Sequence, residues 1–276
     1  MRQNILTYNA TIRIVLTSTC AQLPTGRAVI QLSSSTADNS IVLLPGANFS
    51  QISPLHDVAT ERLAKYTHLL LQNEIPLEET KDALRRAKSA GLTTLFNPSP
   101  MLSRQALANF EWQHLDWLVI NEGEGEDLLA ALADPASAEP KSGGPAPLLE
   151  ALRRTELGRL TGIVMTRGAE GVAASLRDGS VVEVGPGKVV GDVRDTTGAG
   201  DCFTGYFVTL LSTLPRSPDY TFTPAKLRKV LAIASQAAAI CVESPGAMES
   251  VPTLVAVKER MGEKWGEGME WEVLLR

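Results

Sequence analysis

Between Arg194 and Gly205 the chain reads RDTTGAGDCFTG, with a single acid, Asp201, directly behind three small residues, Gly198, Ala199 and Gly200. A Gly-Ala-Gly loop ahead of a helix leaves backbone N–H groups bare. Such groups are unsatisfied at a helix start and carry partial positive charge, so they bind anions. The segment that follows, CFTGYFVTLLSTL, predicts that helix, although Gly205 weakens it. An acid beside an anion site suits phosphoryl transfer: backbone donors hold the developing negative charge while the carboxylate accepts the proton of an attacking hydroxyl. The same acid also serves as a helix N-cap, and Gly-rich turns before helices are common, so these residues alone leave both readings open.

The elements that must position this loop are legible as a rhythm. GRAVIQL and NSIVLL predict two short strands, near Ala28–Leu32 and Ser40–Leu44, joined by a polar turn. From THLLLQNE onward the chain alternates: a strand, a helix over LEETKDALRRAKSAG, a strand TTLFN, a strand LDWLVIN and a short helix GEDLLAALA. GIVMTRGAEGVAASLRDGSVVEV then predicts a strand, a Gly-bearing turn and a hairpin. Repeated strand–helix units with nearly continuous apolar strands predict an α/β fold, a mostly parallel sheet covered on both faces. Ligands of such sheets bind beyond the carboxyl ends of the strands. Asn73 and Glu74, Asn97, Asn121 to Glu124, and Thr166 to Gly168 all fall there, which predicts one common cleft.

Composition narrows the classes. With 276 residues the chain can bury a sizeable core, and a formal net charge of −5 argues against general nucleic-acid or anionic-membrane binding. Cys20, Cys202 and Cys241 are odd in number and far apart, which predicts no disulfide framework and a cytoplasmic home, a nuclear one being compatible. The apolar run AIASQAAAICV is too short to span a bilayer, and the first twenty residues have neither a signal-peptide nor an anchor pattern. His56, His68 and His114 have no metal-ligand spacing, and Cys202 reads as a packing residue. The Pro-, Ala-, Ser- and Gly-rich stretch 134–147 predicts a flexible surface insertion, and residues 263–276 an appended tail.

The full string DTTGAGDCFTG closely resembles the second signature of the ribokinase-like (PfkB) carbohydrate kinases. TGRAVIQL with NSIVLLPGAN resembles that family's lid, and LLLQNEIPLE, LFNPSP, NEGE, TRGAEG and SPGAMESVP follow in the family's order, over roughly Pro24 to Leu254. The resemblance implies a three-layer α/β/α kinase domain over residues 24–262, with lid strands at about 26–46 and an atypical segment 1–23. It implies that Asp201 is the catalytic base, and that Gly198, Ala199 and Gly200 form an anion hole. It further implies that Glu74 contacts the sugar, and that Asn121, Thr166, Arg167, Gly168, Ala169, Glu170, Gly171 and Ser235, with Gly200 and Asp201, line the ATP site. Glu124, through water, would help to organise Mg²⁺, which keeps several waters and needs few carboxylates. Asp195, Thr197, Cys241, Ser244, Gly246 and Ser250 resemble a monovalent-cation site, with K⁺ as activator. Without the resemblance, NEGE reads as a solvated acidic strand end, TRGAEG as a hairpin turn, and Glu74 as a helix-start acid.

The implied reaction is ATP-dependent phosphorylation of D-ribose at O5 to ribose 5-phosphate, with a homodimer through the lid. The alternatives are another acceptor (fructose, a nucleoside, a keto-deoxy sugar acid) or a non-catalytic nucleotide-binding remnant. The N-x-D-type and G-G-K-G-A-N-like sugar elements with which the family begins do not occur in this sequence. The expectation is therefore a domain short of its N-terminal part, complete on the phosphate side and incomplete on the sugar side.

Overall fold

The computed structural model describes residues 22–33, 39–50, 63–133, 144–215 and 222–262. Cys20, His56 and the segments 1–21, 134–143 and 263–276 lie outside the described residues.

Strands β1 (Arg27–Leu32) and β2 (Asn39–Leu44) form an antiparallel ribbon with Val29 opposite Val42 and Ile30 opposite Ile41. Successive residues of a strand point to opposite faces. The exposure of all four side chains therefore leaves the ribbon apolar on both faces.

The main sheet has the order β3-β4-β5-β6-β7-β8. Its strands are β3 (His68–Gln72), β4 (Thr93–Asn97), β5 (Trp117–Asn121), β6 (Gly162–Thr166), β7 (Val172–Leu176) and β8 (Val181–Val184). The first four run parallel, β7 turns back antiparallel to β6, and β8 is antiparallel to β7 in turn. Parallel neighbours need crossovers, and helices supply them: α1 (Leu77–Ser89), α2 (Arg104–Ala108), α3 (Glu122–Leu132) and α4 (Pro145–Arg153). The chain then adds α5 (Ala199–Ser212), α6 (Pro224–Cys241) and α7 (Leu254–Met261). Helix α4 begins at Pro145, so the end of the stretch read as loop is its first turn. Proline needs no N–H partner there.

Alternation along the strands divides the core into two layers. Leu95, Trp117, Val119, Val164 and Ala174 face α5 and α6, where Phe203, Phe207, Leu227 and Ala234 pack. Their chain neighbours Phe96, Leu118, Ile120, Ile163, Met165 and Ala173 face the opposite side, with Leu84, Leu128 and Leu149 of α1, α3 and α4. Each large buried aliphatic or aromatic side chain contributes about 1.5–3 kcal/mol. Coverage of both faces gives the expected three-layer α/β/α sandwich. The outer helix layer is also pinned by Arg153 of α4, which donates to Ser175 Oγ at 2.9 Å and to the Leu160 carbonyl at 2.7 Å. Burial lowers this guanidinium's pKa to about 10.

Candidate active site

The carboxyl ends of β3 to β6 are knitted into one rim. Past β3, Asn73 donates from its main chain to the Ser99 carbonyl at 3.3 Å and from Nδ2 to the Pro100 carbonyl at 2.7 Å. Asn97, closing β4, donates to the Val119 carbonyl at 2.8 Å. The guanidinium of Arg167, after β6, lies 3.6 Å from Glu122 Oε1, after β5. The strand-end residues thus share one rim, as their positions in the sequence predict. Glu74 is half-buried on this rim, its main-chain N–H donating to Gln72 Oε1.

Asn121 and Glu124 occupy each other. Asn121 Oδ1 accepts the Glu124 N–H, and Glu124 Oε2 accepts the Asn121 N–H, both at 2.8 Å, closing a capping box on α3. Burial pushes the Glu124 carboxyl up, and the Asn121 N–H and the Ser99 side chain partly oppose that shift. Ser99 is the rim residue that sequence reasoning missed, because it meets Glu124 only after β4 and β5 are in register. TRGAEG forms the tight β6–β7 connection: Arg167 N–H donates to the Gly171 carbonyl at 2.8 Å, and Gly168 and Gly171 take φ of 52° and 93°.

At the RDTTGAGD loop the structure shows which residue caps the helix. The N-cap of α5 is Gly198, at φ 78°, a left-handed conformation that glycine adopts at little steric cost. A Cβ there would also approach the Ala247 carbonyl to 3.0 Å. Asp201 lies inside the first turn of α5 and makes no capping hydrogen bond. Its residue is exposed, yet burial of the carboxyl on its protein side raises the pKa above the usual carboxylate range. The helix start is thus left to a glycine with no side chain, and Asp201 is not its cap.

Beneath the loop, the buried Asp195 accepts the Thr197 N–H on Oδ1 and the Gly246 N–H on Oδ2, each at 2.9 Å. The Thr197 side chain, then the Gly246 N–H, hold its carboxyl below the usual range. Cys241 Sγ lies 3.0 Å from Ser250 Oγ, which also reaches the Ala247 carbonyl. Asp195, Thr197, Cys241, Gly246 and Ser250 thus meet where two loops join, while Ser244 is exposed. Cys202 is a buried free thiol, raised by hydrogen bonding with Cys241 and by burial, which fits packing and not attack. Among the described residues no group of three or more His, Cys, Asp and Glu could hold a metal ion, and no helix is long and apolar enough to cross a membrane.

The profile described as "pfkB family carbohydrate kinase" matches residues 6–254. The chain belongs to that family. The family profile begins well ahead of Pro24, where the quoted motifs start. Among curated relatives, the ribokinase of Schizosaccharomyces pombe is 30% identical over 84% of this chain and 66% of its own length. That of Haemophilus influenzae is 31% identical over 86% and 69%. A solved ribokinase from Cryptococcus neoformans in complex with ADP is 42% identical, with TM-score 0.70, covering 86% of this chain and 72% of its own. The chain spans about two thirds of the length of these pfkB relatives.

Proposed function

We propose that this chain is an ATP-dependent sugar kinase whose acceptor is D-ribose, phosphorylated at O5. The observation that carries the reading is the Asp201 carboxyl one turn into a helix capped by a bare glycine. In that role Asp201 accepts the proton of the sugar hydroxyl, and the N–H groups around Gly198, Ala199 and Gly200 hold the transferred phosphoryl group. A pKa raised by burial makes the carboxylate a better proton acceptor than an ordinary aspartate. Ribose as the acceptor rests on the ribokinases among the relatives, and the nucleotide on the ADP bound by the Cryptococcus neoformans enzyme.

Two ions belong to this reading. Mg²⁺ would supply charge neutralisation on the nucleotide phosphates. Glu124, with one oxygen committed to the Asn121 N–H, fits contact through water better than direct ligation. K⁺ would sit by the junction built on Asp195, whose two oxygens each keep capacity beyond the N–H they accept. The ribbon supports two further assignments: one apolar face over the sugar, the other against a second copy.

The test is ADP formation by the purified chain with ribose, fructose, adenosine or a keto-deoxy sugar acid, beside Asp201→Asn. Ribose-dependent turnover lost in the variant supports the reading. A folded, ADP-binding chain with no turnover on any acceptor sinks it in favour of a nucleotide-binding protein.

A further inference from the structure

Strand β3 ends the sheet among the described residues, and one neighbour, β4, pairs with it through a ladder that stops at Gln72 opposite Asn97. The chain then crosses the rim as an irregular stretch, residues 73–76, before α1 begins, and Pro76 at the N-cap makes no side-chain hydrogen bond. Glu74 is carried on this stretch, so its direction depends on what ties the backbone beneath it. Two residues do so. Gln72 Oε1 accepts the Glu74 N–H. Asn73 reaches across to the β4–α2 connection, its N–H donating to the Ser99 carbonyl at 3.3 Å and its Nδ2 to the Pro100 carbonyl at 2.7 Å. A single side-chain amide thus extends the pairing of β3 past the end of its ladder.

The connection that Asn73 grips is itself anchored to the middle of the sheet. The Ser99 N–H donates to the Asn97 carbonyl at 2.8 Å, and Asn97 Nδ2 donates to the Val119 carbonyl of β5 at 2.8 Å. On the other side, α5, which carries Asp201 in its first turn, packs against β3. The backbone under Glu74 is therefore fixed from β5 outward, on the strand that the helix of Asp201 touches.

We propose that Asn73 is a positioning residue that holds the Glu74 carboxylate ready for the hydroxyls of the sugar acceptor. This rests on the sugar-kinase reading above, with Glu74 as the sugar contact, and deepens it. A carboxylate on an untied stretch has to be ordered each time the sugar binds, and that ordering lowers affinity. The hydrogen bonds of Asn73 go to neither the Gly198 loop nor the β6–β7 turn, so its loss acts on the acceptor side.

The test is a double-mutant cycle on the full chain, reading KM for the sugar acceptor (ribose in the reading above) beside the ADP Kd from calorimetry. Asn73→Leu keeps the side-chain size and removes the Nδ2 bond. It is expected to raise the acceptor KM about tenfold and to leave the ADP Kd within about twofold of wild type. Glu74→Gln raises the acceptor KM on its own. In that background Asn73→Leu is expected to add less than about twofold, a coupling that general loosening of the fold does not produce. A wild-type acceptor KM in folded Asn73→Leu, or a rise that persists in full beside Glu74→Gln, overturns the positioning role and leaves the kinase reading intact. If Asn73→Leu does not fold, Asn73→Asp takes its place: it keeps the shape and sets an oxygen against the Pro100 carbonyl, and a wild-type acceptor KM there overturns the role. A wild-type chain that binds ADP and turns over no acceptor overturns the kinase reading and this inference together.

Discussion

One oxygen of Asp195 accepts the N–H of Gly246, which lies 51 residues further along the chain, at 2.9 Å. Its other oxygen accepts the Thr197 N–H, so a single buried carboxylate joins the loop before α5 to the loop after α6. Asp195→Ala leaves two N–H groups without this acceptor, and urea unfolding is expected to show a loss of about 1–3 kcal/mol. The pH dependence has a definite sign. A carboxyl held below its ordinary value stabilises the fold above the unfolded pKa of about 3.9, and that stability is lost as pH falls through the lower folded value. Asp195→Asn should therefore lose less stability than wild type on acidification from pH 5.

Asp201 is expected to behave in the opposite sense. Its pKa is raised by burial, so the folded chain disfavours the charged form at neutral pH. Asp201→Asn should lower turnover about 100- to 10,000-fold, the contribution of a general base, with a Tm at or above wild type. The wild-type rate should fall on acidification with an apparent pKa above the ordinary aspartate value. A variant that retains turnover removes Asp201 from the base role.

Gly198→Ala combines an unfavourable backbone conformation with a 3.0 Å approach to the Ala247 carbonyl. The conformation alone costs about 1–2 kcal/mol in an L-residue. A shift of the helix start should also weaken ADP binding, because the N–H groups move with it. Calorimetry on a variant shown to be folded reads that second effect apart from the first.

Gly162→Ala tests the core at the opposite end of β6. Gly162 is paired with Trp117, and a Cβ would lie 2.0 Å from the indole ring. That ring meets Phe207 and Phe222 edge-on at centroid distances of 5.4 Å, so it has little room to withdraw. Overpacking of this kind costs about 1–3 kcal/mol. The urea midpoint should fall accordingly while ADP affinity stays unchanged.

Local order was legible because it is written in short-range periodicity. The strand–helix alternation, the helix behind Asp201 and the polar strand ends each follow from a few adjacent residues, and α1 and β4 fall where the apolar pattern places them. Asn121 and Glu124 were visible as a pair, but their mutual capping box was not distinguished from a cation-organising role, since the same spacing serves both. Ser99 and Gln236 were not found as partners of Glu124 and Lys188. Gln236 left one trace, a large amide inside AIASQAAAIC, which in a buried helix must find hydrogen bonds somewhere.

The sequence by itself determined which residues could carry chemistry: a bare loop, an acid behind it, and polar groups at successive strand ends. It also determined the layered α/β class, because apolar spacing dictates which faces must be covered. Only the tertiary structure decided that Gly198 and not Asp201 caps α5, that Asp195 reaches Gly246, and that Gln236 holds Lys188. The physical reason is that hydrogen bonds between residues about 50 positions apart depend on how helices pack and strands register, and local spacing carries no record of either.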